Sequence, residues 1–212
     1  IWWAWGGGRW AVLAGMVWWV GYAGLYAWRL PVTYQHGRYL MPAMPVFFLW
    51  GLAGMALVVW PRSRVFSRVL ARAWGLIVGV VLVLFWMQGA RAFALDVAFI
   101  ETEMVATARW VAENTEADAL IAAHDIGALG YFGERDLLDL AGLVSPEVIP
   151  FIRDEARLAE YLHGAGAGYL ITLQGWYPAL ESGEAAVFVT GGAFALPLGG
   201  TNMAVYVWRG HP

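Results

Sequence analysis

From its first residue to Arg91 the chain carries eight arginines (Arg9, Arg29, Arg38, Arg62, Arg64, Arg68, Arg72 and Arg91) and no aspartate or glutamate. Every acid lies at Asp96 or beyond, beside only five more arginines. A single globular domain in water does not sort its charges this way, since it needs both signs around its whole surface. Eleven of the fourteen tryptophans also fall in the first part, so the two parts face different solvents and the net charge of -3 describes neither. With 60% of residues hydrophobic and 14% charged, against roughly a quarter charged in soluble domains, the first part belongs in a membrane.

Three uncharged runs, Ala11–Trp28, Ala43–Trp60 and Trp74–Ala90, are each long enough to cross most of a hydrocarbon core, which takes about 20 helical residues. Trp10, Trp28, Trp60 and Trp74 at or near their ends suit the interfacial aromatic belt. The loop PRSRVFSRVLAR holds Arg62, Arg64, Arg68 and Arg72 without an acid, which makes it cytoplasmic by the positive-inside bias, and Arg9 agrees. The stretch Tyr34–Pro45 and everything after Ala90 then face outward. The expectation is a multi-pass cell-membrane protein, α-helical with three transmembrane helices over residues 1–91 and a small extracytoplasmic α/β domain over residues 92–212. The chain opens on Ile1, and IWWAWGGGRW lacks the charged start and cleavage site of a signal peptide, which reads as a fragment or a processed piece.

After Asp96 the pattern becomes that of a water-soluble fold. Val97, Ile100, Met104, Ala108 and Val111 keep helical spacing with Glu101, Glu103 and Glu113 between them, predicting a helix with one apolar face. ALIAA (119–123), Leu137–Leu140 and YLITL (169–173) read as strands. Ser145 and Pro146 start a helix, and Asp154–His163 is an amphipathic helix that Gly164 closes. Val187–Thr190 and Met203–Trp208 form a terminal strand pair across a glycine-rich connection. Strands alternating with helices imply a largely parallel sheet.

Two groups of residues can carry chemistry. The first is YQHGRYLMPAMP (34–45), which sets His36, Arg38, Pro42 and Pro45 between two apolar runs. A polar group at membrane depth is costly, and an arginine fork beside backbone freed by proline suits a phosphate, to which it donates two parallel hydrogen bonds. The plainer reading has Arg38 snorkel to headgroups while Pro42 starts the next helix. The second group is His124, Asp125, Asp136 and Asp139, with Asp125 and Asp139 at strand ends where open α/β sheets bind ligands. Such residues can orient a hydroxyl, act as acid and base or bind a cation. Equally, Asp125 caps a turn and Asp139 accepts backbone hydrogen bonds before Gly142. A divalent metal needs several converging ligands and the sequence offers three candidates at most, so no cofactor is assigned within the chain. QGWYP (174–178) offers stacking aromatics to a carbohydrate, or buries Trp176. HGAGAG (163–168) follows a helix and precedes a strand, the reverse of a dinucleotide fingerprint. The absence of cysteine excludes disulfides and thiolate metal sites. Nucleic acid is no partner of an acidic soluble domain.

HGRYLMPAMP, opening a transmembrane helix after an outward loop, resembles the segment of the membrane-embedded C-type glycosyltransferases, the protein mannosyltransferase and aminoarabinose transferase relatives that use polyprenyl-phosphate sugars. AAHDIGALGYFGERDLLDLAGLVSPEV (122–148) also resembles the outer domain of bacterial members. The resemblance implies a C-terminal portion of such an enzyme, with Arg38, supported by Tyr39 and His36, at the lipid phosphate. It implies a lipid-linked sugar donor, and an acceptor side formed by the soluble domain at His124, Asp125 and Asp139. In that family the catalytic carboxylate lies in the first outward loop, and no acid precedes Asp96 here, so the base is expected from a missing N-terminal part. The alternative is a non-catalytic membrane subunit whose α/β domain docks onto a larger complex. Membrane lipids are partners under either reading.

Overall fold

A computed structural model describes residues 10–29, 35–59, 65–183 and 185–208. The chain forms two compact units, Ile1–Trp86 and Met87–Pro212. Arg9, Trp60, Arg62 and Arg64, on which part of the expected orientation rests, lie outside the described residues.

In the first unit, helix α1 (Trp10–Arg29) and helix α2 (Met44–Val59) are joined through a run of tight 3-10 turns at Gln35–Ala43. Pro42 sits inside those turns, and α2 begins at Met44. Helix α3 (Val65–Phe99) starts within the basic segment read as a loop and carries Arg68 and Arg72 on its first turns. Among the described residues three helical spans are long and apolar enough to cross a membrane, which marks this as a membrane protein. No residue of α1 is buried; apolar side chains all round a helix need lipid or other helices as solvent. Where α1 and α2 pack, Gly15 admits Trp50 and Val46 so closely that an added Cβ would meet both at 3.3 Å, the familiar use of a small residue between membrane helices. Trp19 stacks on Phe47 beside it, with ring centroids 5.5 Å apart.

The second unit starts on the last turns of α3. A π-helical turn, Ile100–Val105, leads into helix α4 (Ala106–Asn114). Strand β1 (Leu120–Ala123), helix α5 (Gly127–Phe132), strand β2 (Asp136–Asp139), a 3-10 turn at Pro146–Phe151, helix α6 (Glu155–Ala165) and strand β3 (Tyr169–Leu173) follow. Helix α7 (Pro178–Glu181) and strands β4 (Ala186–Val189) and β5 (Met203–Val207) complete the domain. The sheet order is β2-β1-β3-β5-β4. β1 pairs parallel with β2 and β3, whereas β5 runs antiparallel to both β3 and β4. The sheet is therefore mixed rather than largely parallel, because the terminal pair returns as a hairpin and needs no crossover helix.

Strands buried on both faces explain the short continuous apolar runs in the sequence. Ala122, Leu170 and Tyr206 point to the face covered by Leu158 and Leu162 of α6. Ile121, Ile171 and Val205 point to the other face, against Ala108 and Val111 of α4 and Leu129 of α5. The result is three layers, helix on sheet on helix. Two caps differ from expectation. α6 runs to Ala165 and is closed by Gly166 rather than Gly164, since the left-handed φ of 76° falls there. Ser145 makes no side-chain cap and instead accepts from the Asp139 amide at 3.4 Å. Arg135 caps α4 from a distance, its Nη2 donating to the carbonyls of Ala112 and Thr115 at 2.9 Å each, which would otherwise be among the orphan carbonyls of a helix end.

Glu103, read as one of the polar residues between apolar positions, is wholly buried. The π-helical turn adds a residue to the helical repeat and turns its side chain inward. There it accepts from Thr190 Oγ1, from the Met203 amide at 2.9 Å and from Asn202 Nδ2 at 3.1 Å. Removing one partner from a buried group leaves the others with the full desolvation penalty. Glu103→Ala is expected to lower the stability of the α/β domain by on the order of 3 kcal/mol, with Glu103→Gln losing less because it keeps one acceptor. Thermal unfolding in lipid nanodiscs measures this, and a wild-type melt for Glu103→Ala would remove the carboxylate from any anchoring role.

Candidate functional site

From β1 the chain steps outward on the sheet to β2, then returns past β1 to β3 on its other side. The crevice beyond the carboxyl ends of β1 and β3 is therefore the point where the strand order reverses, the usual ligand position of open α/β sheets. β1 delivers His124 and Asp125 there, and β3 delivers Gln174–Tyr177. Gly175, at a φ of 85°, takes the left-handed turn that a side chain resists, so Trp176 and Tyr177 fold back on the imidazole.

His124 Nδ1 lies 2.6 Å from Tyr177 Oη, and its ring meets Trp176 edge-on at 5.1 Å and 85°. Burial, then the carboxylates of Glu155, Asp139 and Asp125, push the Tyr177 phenol from 10.0 up to about 12. The phenol stays protonated at neutral pH and pairs with Nδ1, donating or accepting according to the imidazole tautomer. Tyr177 is buried and His124 partly so, whereas Trp176 is 48% exposed. The crevice thus presents an imidazole and an open indole.

The carboxylates around it hold backbone. Asp139 accepts from the amides of Ala141 (2.8 Å) and Val144 (2.7 Å), one on each oxygen, which is the turn-holding role that the sequence allowed. Glu155 Oε2 accepts from Ala179 and Leu180 at the start of α7. Glu181 accepts from Gly175 and Tyr177 and so fixes the turn that carries Trp176. Asp125 stays partly buried beside the crevice. Asp136 does not join the group: it opens β2 opposite Leu120, while Asp139 closes it opposite Ala123. Among the described residues no three histidine, cysteine or acidic side chains converge as a metal site. Sequence reasoning singled out His124 and the aromatics of QGWYP separately; their contact spans 53 positions and has no local signal.

In the first unit Arg38 is exposed within the 3-10 turns. Its Nη2 donates to Tyr39 Oη at 3.1 Å and its guanidinium carbon stands 5.0 Å from the Tyr39 ring centroid. Tyr39 in turn stacks on Tyr26 of α1 at 5.8 Å and 17°, and Trp18 Nε1 donates to the Pro42 carbonyl at 3.5 Å. The turns are thereby tied back onto α1, and the arginine fork rests on an aromatic support. His36 lies in the same turns, with its side chain outside the described residues. Between α1 and α2 opens an apolar cleft of about 310 Å³ lined by Gly15, Met16, Trp19, Val46, Phe47 and Trp50.

Tyr177 and Tyr206, the latter also raised by burial to about 12, hold their protons more tightly folded than unfolded. Their contribution to stability is complete below pH 10 and is lost as pH rises toward 12. Tyr177→Phe is expected to flatten the alkaline fall of the thermal midpoint, read between about pH 9 and 12; an unchanged slope would show that the phenol titrates normally.

No curated protein and no solved structure matches the chain. A family model described as a domain of unknown function (DUF8728) matches residues 96–206, from the last turns of α3 to the penultimate residue of β5. With more than half of its length covered, this chain belongs to that family.

Proposed function

We propose that this chain is the C-terminal portion of a multi-pass membrane glycosyltransferase that uses polyprenyl-phosphate sugars, with the Gln35–Ala43 turns and the α/β domain on the outer face of the cell membrane. The observation that carries the reading is Arg38, an exposed guanidinium steadied by Tyr39 within HGRYLMPAMP. Arginine keeps its charge at any working pH and matches a phosphate with parallel donors. The remaining donors of its fork find no acceptor among the described residues, and the apolar cleft between α1 and α2 offers a place for a hydrocarbon tail. A head at Arg38 and a tail against the helices is the arrangement that an anionic lipid requires.

In this reading an acceptor hydroxyl or amine attacks the anomeric carbon of the sugar. The bond from that carbon to the phosphate oxygen breaks, and the lipid phosphate departs with the electron pair. Arg38 stabilises the charge that develops on it. The crevice at His124, with Asp125 and Trp176, serves the acceptor, whose ring can lie on the indole face. The membrane half carries no carboxylate, so the base that takes the acceptor proton is supplied by another segment or subunit.

Arg38→Ala in the intact protein is expected to weaken binding of a short-chain polyprenyl phosphate in nanodiscs by about 10- to 100-fold, in line with the loss of charge-assisted hydrogen bonds. Arg38→Lys should recover only part of it, because a single ammonium lacks the planar fork. Unchanged binding in Arg38→Ala would end the phosphate role and favour the docking-subunit reading.

A further inference from the structure

The two edges of the α/β sheet differ in what surrounds them. Leu173, the last residue of β3, pairs with Met203, the first of β5, so the carboxyl ends of the parallel strands share an edge with the start of the hairpin's return. Glu103 in the π-helical turn binds Met203 and Thr190 at that edge, and Phe99 lies against Gly200. The opposite edge lies beyond the end of α4, where Tyr169 donates to Glu116. The edge that holds the His124 crevice is therefore the one turned toward the end at which the apolar helix α3 enters the domain.

Two loops project from this edge without any charge. LAGLVS (140–145) leaves β2 and exposes Leu143 at 77% and Val144 at 65%. GGAFALPLGG (191–200) joins β4 to β5 and exposes Leu196 at 69%, with Phe194 and Leu198 beside it. β2 and β5 stand three strand intervals apart, about 14 Å at 4.8 Å each, so the loops flank the crevice on either side. The last turns of α3 and the start of the π-helical turn, which lead into this end of the domain, are also apolar and exposed at Phe93, Val97 and Ile100. Uncharged aliphatic loops held open on a domain surface mark a partner that is itself apolar.

We propose that this edge is a membrane-contact surface, with the Leu143–Val144 and Phe194–Leu198 loops seated in the lipid interface. Its continuity with a membrane-crossing helix selects lipid over a soluble partner, and Trp176 between the loops suits the headgroup layer. The crevice then opens onto the bilayer surface, so a ligand reaching His124 arrives along the lipid and not from bulk water. This inference stands apart from the glycosyltransferase reading and needs only the apolar helix and the sheet polarity.

The chain has no cysteine, so a single thiol can be placed at will. Leu143→Cys, Leu196→Cys and, on the opposite edge, Asp118→Cys would each carry an environment-sensitive fluorophore in nanodiscs that hold one copy of the protein. The expected result is blue-shifted emission at 143 and 196, quenched by doxyl groups on the lipid, while 118 is quenched only by a water-soluble nitroxide. Emission at 143 or 196 that behaves like 118 would overturn the proposal. Because each disc holds one copy, protection cannot come from a second chain.

Discussion

A carboxylate with no access to water ties the two kinds of structure in the soluble unit together. Glu103 is delivered by the helical rod that continues α3, and it is received by the hairpin through Thr190, Asn202 and the Met203 amide. A carboxyl group is buried only where partners replace its hydration, and here three donors converge. The site leaves no room for error on the far side either, since a Cβ on Gly192 would run into the same carboxylate. The anchor fixes the edge of the sheet that lies beside the incoming helix, and with it the direction in which the crevice opens.

Wherever the local pattern carried the information, the sequence announced it. YLITL became β3 over the same five residues, and the terminal strand pair lies within a residue or so of its expected bounds. Charge sorting and three long apolar runs foretold the apolar helices, because hydrocarbon tolerates no other composition over that length. The failures have a common cause in contacts that no window contains. Glu103 keeps polar spacing for a 3.6-residue helix, and one π-helical turn moves it inward. The mixed sheet depends on where the hairpin docks, and β5 docks on β3 through contacts about 35 positions apart in the chain. For Asp139 the residue type fitted both a ligand and a turn, and only the two amides on its oxygens separate them.

The division of labour among the acids constrains what the crevice can do. Asp139, Glu155 and Glu181 spend their oxygens on backbone amides that shape the loops after β2 and β3. Their charge still reaches the site, since Glu155 and Asp139 help to keep Tyr177 protonated. What faces a ligand is an imidazole, a half-open indole and the carboxylate of Asp125. Such a set is chemically able to hold a hydroxyl-bearing ring: the indole stacks, and the imidazole and one carboxylate hydrogen-bond its hydroxyls. An anion would meet the field of the fixed carboxylates of Glu155 and Asp139 that already acts on Tyr177. The two candidate sites lie in different units and offer different chemistry, an exposed guanidinium steadied by Tyr39 on the helical turns and an aromatic crevice around an imidazole.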